Sequence, residues 1–250
     1  MYYQVHTLVK EGPAGILAYC VRTERYPENR MSALPEPMST IAFRRTRAED
    51  RGNAVREAVI ISQRGRIIEG AVEAAAAKGY AATTLADIVA RARVSRTTFY
   101  EHFENKEHCF LTAIDLATTL LSTQVAAAVE AAGEDWRRAL HAMVDTYCAV
   151  IAAEPEFSLV WFTADAMVGE QARAARDRGV NIALTHFRAL HHLAQKTDPT
   201  LTSVSDEQLL MLFEGIFGHA RQVVTSDPAR LPAHATDYVE FIRRALGLPH

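Results

Sequence analysis

The run Thr83-Thr84-Leu85-Ala86-Asp87-Ile88-Val89-Ala90-Arg91-Ala92-Arg93-Val94-Ser95-Arg96-Thr97-Thr98-Phe99-Tyr100-Glu101-His102-Phe103 holds two helix starts and two apolar faces. Thr84 and Asp87, three residues apart, can satisfy free backbone N–H groups reciprocally where a helix begins. Leu85, Ile88, Val89 and Ala92 then recur at helical spacing on one face. A helix of about two turns is marginal alone, so it must bury that face against its neighbours. Ser95 is the next N-cap, with Val94 and Phe99 placed as a hydrophobic staple around it. Phe99 and Phe103 share the inner face of this second short helix. Arg96, Thr97, Thr98, Glu101 and His102 are left without a core role, clustered on its first two turns. Such a pair reads as a helix-turn-helix, which meets base edges with residues near the start of its second helix. Arg96 can make two bonds to guanine, and Thr97 and Thr98 can meet a thymine methyl or a phosphate. Asn105 caps a further helix and sets Lys106 where it can meet a phosphate beside the groove.

Toward the N-terminus, Ile68, Ala71, Val72 and Ala75 predict one more helix with a single buried face. Gly79 follows Lys78 as a left-handed cap, and Tyr80 can fold back on the helix end. Gly70 costs about 1 kcal/mol of helix propensity and permits close approach of a neighbouring helix. From Ile41 to Gln63 the chain is polar and rich in arginine (Arg44, Arg45, Arg47, Arg51, Arg56), either a solvated linker or a basic arm on the duplex. Residues 1–40 contain Pro13, Pro27, Pro35 and Pro37 with no sustained period and are expected to be poorly ordered. Met31 and Met38 leave the start codon open.

The residues Gly79-Tyr80, Thr83 to Val89, Val94 to Phe103 and Lys106-Glu107 resemble the DNA-binding domain of TetR-type (tetracycline-repressor-like) transcriptional regulators. The resemblance implies that Thr84, Thr97, Thr98, Tyr100 and Lys106 contact DNA, Tyr100 and Lys106 mainly through phosphates. Together with the residues read above, the expected reading set is Thr84, Ser95, Arg96, Thr97, Thr98, Tyr100, His102 and Lys106. The resemblance also implies a helical C-terminal domain that dimerises and holds a small-molecule pocket, with repression relieved by ligand. The family pattern has glycine where Arg93 stands. Glycine adopts a positive φ there at no steric cost, whereas arginine must accept strain or reshape the turn.

Beyond the motif the chain reads as helices separated by short breaks: Glu107 to Ala132, Trp136 to Ala153, Phe157 to Val168, Glu170 to Lys196, Asp206 to Thr225, and about Pro232 to Leu246. No stretch alternates long enough to suggest a sheet, so the class expected is all-α. The expected division is an N-terminal extension over 1–45, a three-helix DNA-binding domain over 46–118 with its motif at 84–103, and a regulatory and dimerisation domain over 119–250. The apolar surplus of Leu209, Phe213, Ile216, Phe217, Tyr238, Phe241 and Ile242 points to a homodimer interface on the last helices. Met143, Tyr147, Trp161, Phe162, Met167, His186 and Phe187 are core residues or, if a pocket exists, its lining for a small, mainly apolar ligand.

Composition narrows the alternatives. The net charge is −3, yet residues 41–106 hold 12 Lys and Arg against 8 Asp and Glu, while 107–250 hold 11 against 18. Only the basic segment suits phosphate. Cys20, Cys109 and Cys148 share no metal spacing and suit a reducing cytoplasm. The ten histidines show no ligand pattern, since adjacent His191 and His192 point apart on a helix. No metal or other cofactor, no membrane span and no signal peptide are expected. A Gly-rich phosphate loop and a Gly-x-Ser-x-Gly motif are both missing, so no enzyme is expected. A helical adaptor that binds only protein would leave Arg96 to Thr98 unexplained.

Overall fold

The computed structural model describes residues 3–11, 17–25, 48–163 and 169–249, with side chains from residue 63 onward. From Ala48 on, the described chain is helical, the class expected. The helices are α1 (Ala48–Lys78), α2 (Leu85–Ala92), α3 (Arg96–His102), α4 (Lys106–Ala132), α5 (Trp136–Ala153), α6 (Pro155–Phe162), α7 (Glu170–Thr197), α8 (Asp206–Ser226) and α9 (Ala235–Ala245). A 3-10 segment, Pro228–His234, leads into α9.

Two expectations for the N-terminal part are corrected. Strands β1 (Tyr3–Glu11) and β2 (Leu17–Arg25) pair antiparallel where no regular structure was expected. Their register sets β-branched or aromatic residues opposite one another at Val5 and Thr23, Thr7 and Val21, and Val9 and Tyr19, pairings that favour strands. The period-two pattern was masked by the prolines on either side. Helix α1 begins at Ala48 rather than near Arg64, so Arg51 and Arg56 are helical. The Ala, Glu and Arg of this stretch are good helix formers, whatever their polarity. Arg44, Arg45 and Arg47, with Met31 and Met38, lie outside the described residues.

Two apolar cores are strung along α4. The first gathers Ile67, Ile68, Ala71, Val72 and Ala75 of α1, Ile88 and Ala92 of α2, Phe99, Phe103, and Cys109 to Ile114 at the start of α4, closed by Val160 and Ala175. Phe99 and Phe103 are fully inside it, as their spacing required. The second core packs Val125 against Trp136, Leu140 and Met143 of α5, Phe187 and Leu190 of α7, Leu209 and Leu212 of α8, and Tyr238 and Ile242 of α9. Helix α4 is long and apolar enough to cross a membrane, by length and composition only, where the sequence suggested no such segment. Leucines and alanines raise its mean hydropathy, while threonines, Ser122 and Asp115 interrupt the apolar run. In the fold it is the spine shared by both cores, and Asp115 near its middle is paired with Arg178 of α7 at 2.9 Å.

Caps set the helix ends that the sequence marked. Gly79 takes φ +81 and its N–H reaches Ala75 O at 2.7 Å, ending α1 as a left-handed cap. Tyr80 then folds back edge-on to Phe110, ring centroids 5.0 Å apart. Gly70 is where α1 and α2 meet: a Cβ there would lie 2.8 Å from Ala92 N and 3.1 Å from Ile88 O.

Candidate nucleic-acid interface

Helix α2 is fixed from its first residue. Thr84 N donates to Asp87 Oδ2 at 2.7 Å, Asp87 N donates to Thr84 Oγ1 at 3.3 Å, and Lys78 reaches the same carboxylate. The hydrogen bonds from Lys78 and Thr84 hold the Asp87 carboxyl well below the usual range, so it stays ionised. This is the reciprocal cap that the Thr84-Asp87 spacing predicted, and it leaves Thr84 exposed.

Arg93 ends α2 in the left-handed region, φ 53 and ψ 47, the only non-glycine residue with positive φ among the described residues. Arginine accepts the conformation and the turn keeps its shape: Val94 N donates to Val89 O at 3.1 Å. Ser95 then caps α3, accepting from Thr98 N at 2.9 Å. Its hydroxyl also shares a hydrogen bond with that of Thr98 at 2.9 Å, so these two side chains order the first turn.

With Phe99 and Phe103 drawn inward, Arg96, Thr97, Tyr100 and Glu101 stand in solvent, and Thr98 is half-buried. Tyr100 is 59% exposed while its ring packs edge-on against Phe99, a large aromatic held outward by a buried one. Arg91, Arg93 and Arg96 are all exposed around the turn, and none is in a described ion pair. The surface is therefore a short row of cations, hydroxyls and one phenol at the start of α3, suited to phosphates and base edges.

Two residues of the expected set sit differently. The His102 ring turns inward: its Nε2 is buried without a hydrogen-bond partner, and burial together with nearby Arg64 lowers its pKa, leaving it neutral. It does not stand with the exposed residues of α3. Arg64, which no sequence pattern singled out, donates to His102 O at 3.0 Å and lies 4.5 Å over the Phe103 ring. Its partners are some forty positions away, beyond any local signal. Lys106 is half-buried. Its Nζ donates to Tyr80 O at 3.0 Å and Thr83 O at 2.8 Å, and sits 4.3 Å over the Tyr80 ring. It therefore ties the α1–α2 connection to the start of α4.

The C-terminal half holds a partly open cavity of about 100 Å³ between α4, α5, α6, α7, α8 and α9. Met143, Tyr147, Trp161, His186 and Phe187 of the expected lining are on its wall. Phe162 lies behind it, fully buried against Trp161 and Phe217, and Met167 lies outside the described residues. Phe213, Ile216, Phe217, Tyr238 and Ile242, read from sequence as interface residues, line the same cavity, and Leu209 is buried in the core. An apolar helix face is legible in sequence, but which neighbour covers it is not. Of that set only Phe241, on α9, is well exposed, and Leu210 and Met211 are exposed on α8. Buried Cys109 and Cys148 have their thiols pushed up to about 12 by burial, so both behave as small apolar side chains.

Residues 67–113 match the family model for bacterial regulatory proteins of the tetR family. No curated protein matches the chain. Its fold is similar to that of a tetR-family regulatory protein from Rhodococcus RHA1, with a TM-score of 0.60 at 21% identity over 75% of this chain and 98% of that one. The fatty acid degradation regulator FadR from Bacillus halodurans aligns with a TM-score of 0.65 at 18% identity, covering 74% of this chain and 95% of its own. FadR from Bacillus subtilis, solved in complex with stearoyl-CoA, aligns at 0.53 and 18% identity over 71% and 96%. These likenesses concern the fold, and the family model concerns the motif. Residues 67–113 thus match a TetR-type DNA-binding domain, and the chain has the fold of TetR-family regulators.

Proposed function

We propose that the protein is a homodimeric, ligand-responsive repressor that occupies a near-palindromic operator in the cytoplasm. The observation that carries the DNA-reading part is the split face of α3, with Phe99 and Phe103 inside and Arg96, Thr97 and Tyr100 outside. In this reading Arg96 reads a guanine, Thr97 and Thr98 read a neighbouring base or phosphate, and Tyr100 and Thr84 hold the backbone. Lys106 and Ser95 position those groups, and Lys106 adds charge beside the groove.

Dimerisation is supported by Leu210, Met211 and Phe241, large apolar side chains left in solvent on α8 and α9. Phe241 lies over Gly215, where an added Cβ would come within 3.3 Å of its ring, so the two helices present one continuous surface. A two-fold dimer through this surface would carry two α3 helices, whose half-sites must lie about 34 Å or a multiple of it apart. The same α8 and α9 line the cavity on their inner side. A ligand that prefers one arrangement of these helices then shifts the spacing of the α3 pair, and a complete switch needs an affinity ratio of about 10⁴. The acyl ligand of the Bacillus subtilis relative supports a mainly apolar ligand here.

Selection of genomic fragments by the purified protein tests this reading. The expected result is enrichment of a near-palindromic site whose affinity falls steeply with salt. No enriched site, or binding indifferent to salt, would overturn it.

A further inference from the structure

The cavity wall carries no Lys, Arg, Asp or Glu among the described residues. Most of its polar groups are already satisfied by one another. Ser122 Oγ and His186 Nε2 share a hydrogen bond at 2.9 Å, Trp161 Nε1 donates to Thr118 Oγ1 at 3.1 Å, and the Tyr238 hydroxyl is bonded to His219 Nδ1 at 2.8 Å. The Tyr147 hydroxyl, on the same wall, makes no hydrogen bond within the described residues. Burial raises its pKa well above that of a free phenol, so it remains a donor. Burial also lowers the pKa of His186, so no imidazolium faces the cavity. Three cations adjoin wall residues in sequence, Arg178, Arg188 and Arg243, and each is engaged by a carboxylate: Arg178 Nη2 donates to both Asp115 oxygens at 2.9 Å, Arg188 Nη2 to Asp206 at 2.8 Å and Arg243 Nε to Glu240 at 2.7 Å.

A charged guest would lose its hydration here and meet no counter-charge. An apolar one would fill space of the same order as a cavity of about 150 Å³ known to hold benzene. We propose that the cavity takes an uncharged molecule with a single-ring-sized apolar body and one acceptor oxygen for the Tyr147 hydroxyl. The inference rests on the ligand-responsive reading above and narrows its ligand: an anionic headgroup is excluded from the cavity, whatever apolar part is buried.

Calorimetric titration of the full chain at pH 7 with 4-butylphenol, 4-butylbenzoate and 4-butylbenzylammonium separates the cases, because the three differ mainly in charge. The phenol is expected to bind at least about tenfold more tightly than either ion. Tyr147→Phe is expected to weaken the phenol about three- to tenfold and to leave butylbenzene unchanged, as loss of one hydrogen bond requires. Ala183→Phe, which fills the cavity, is expected to abolish binding of both, with thermal unfolding confirming the fold. Either ion binding as tightly as the phenol would overturn the uncharged-ligand inference and leave the ligand-responsive reading standing. A Tyr147→Phe variant indifferent to the phenol would overturn the assigned donor. If no probe binds, or Ala183→Phe binds them all unchanged, the cavity is not a ligand site and both readings fall.

Discussion

Arg93 holds a left-handed backbone conformation that costs a residue with a Cβ about 1–2 kcal/mol, and its side chain is exposed and outside every described ion pair. Arg93→Gly removes that strain but adds about 0.5–1 kcal/mol of unfolded-state entropy. The expected net is a stabilisation of a few tenths to about 1 kcal/mol in the denaturation midpoint; a loss above about 1 kcal/mol would mean that the side chain itself holds the turn. Lys106 is the opposite case, a residue read from sequence as a phosphate contact whose ammonium bonds two backbone carbonyls. Lys106→Met keeps the stem over the Tyr80 ring and removes those bonds. The expected loss is about 1–3 kcal/mol of stability together with a salt slope of DNA binding flatter by about one unit. Unchanged stability would deny the tethering role. At this scale the caps were legible because each is a local pattern, Thr84 with Asp87 or Ser95 with Thr98. The inward turn of His102 and the reach of Arg64 were not, since both depend on contacts distant in sequence.

Among the elements, α1 and α2 are joined most closely at Gly70, where an added Cβ would strike backbone atoms that cannot rotate away. Helix propensity alone predicts that Gly70→Ala gains about 1 kcal/mol. The clash outweighs it, because overpacking costs about 1–3 kcal/mol and the neighbour here is main chain. Chemical denaturation should show a net loss, and a gain would mean that the two helices part freely. The carboxylates of Asp87, in the first turn of α2, and Glu240, midway along α9, set a pH dependence. Hydrogen bonds from Lys78 and Thr84 depress Asp87, and Arg243 with Arg244 brings Glu240 down to about 2. Both groups are lowered in the fold, so their contribution is complete above the ordinary carboxylate range and disappears as pH falls toward 2. The melting temperature should therefore fall through that window, and less so in Asp87→Asn/Glu240→Gln; an identical fall in both proteins would count against these pairs. Element ends were the most legible feature of the sequence. Helix α5 has the bounds read from sequence, Trp136–Ala153, because a stop such as Glu154-Pro155 acts within a few residues. The strand pair and the early start of α1 escaped the same reading, because proline and charge outweighed period and propensity there.

For the molecule as a whole, the two cores share α4, and the first is closed by Val160 of α6 and Ala175 of α7. The motif is thereby packed against helices that also reach the second core, which gives a cavity event a physical route to α3. The outer surface of α8 and α9 and the cavity beneath it are two sides of one layer. Sequence periodicity showed that layer to be apolar on more than one side and assigned the wrong residues outward: Phe241 faces solvent, whereas Tyr238 and Ile242 face in. Whether the outward row of α3 reads DNA is decided by the operator affinity and base preference of Arg96→Ala beside the unmodified chain at one salt concentration. The predicted result is a loss of about 1–3 kcal/mol with relaxed preference at one operator position, in a protein whose melting temperature is unchanged. Unaltered affinity and preference would contradict the claim that this face of α3 reads DNA.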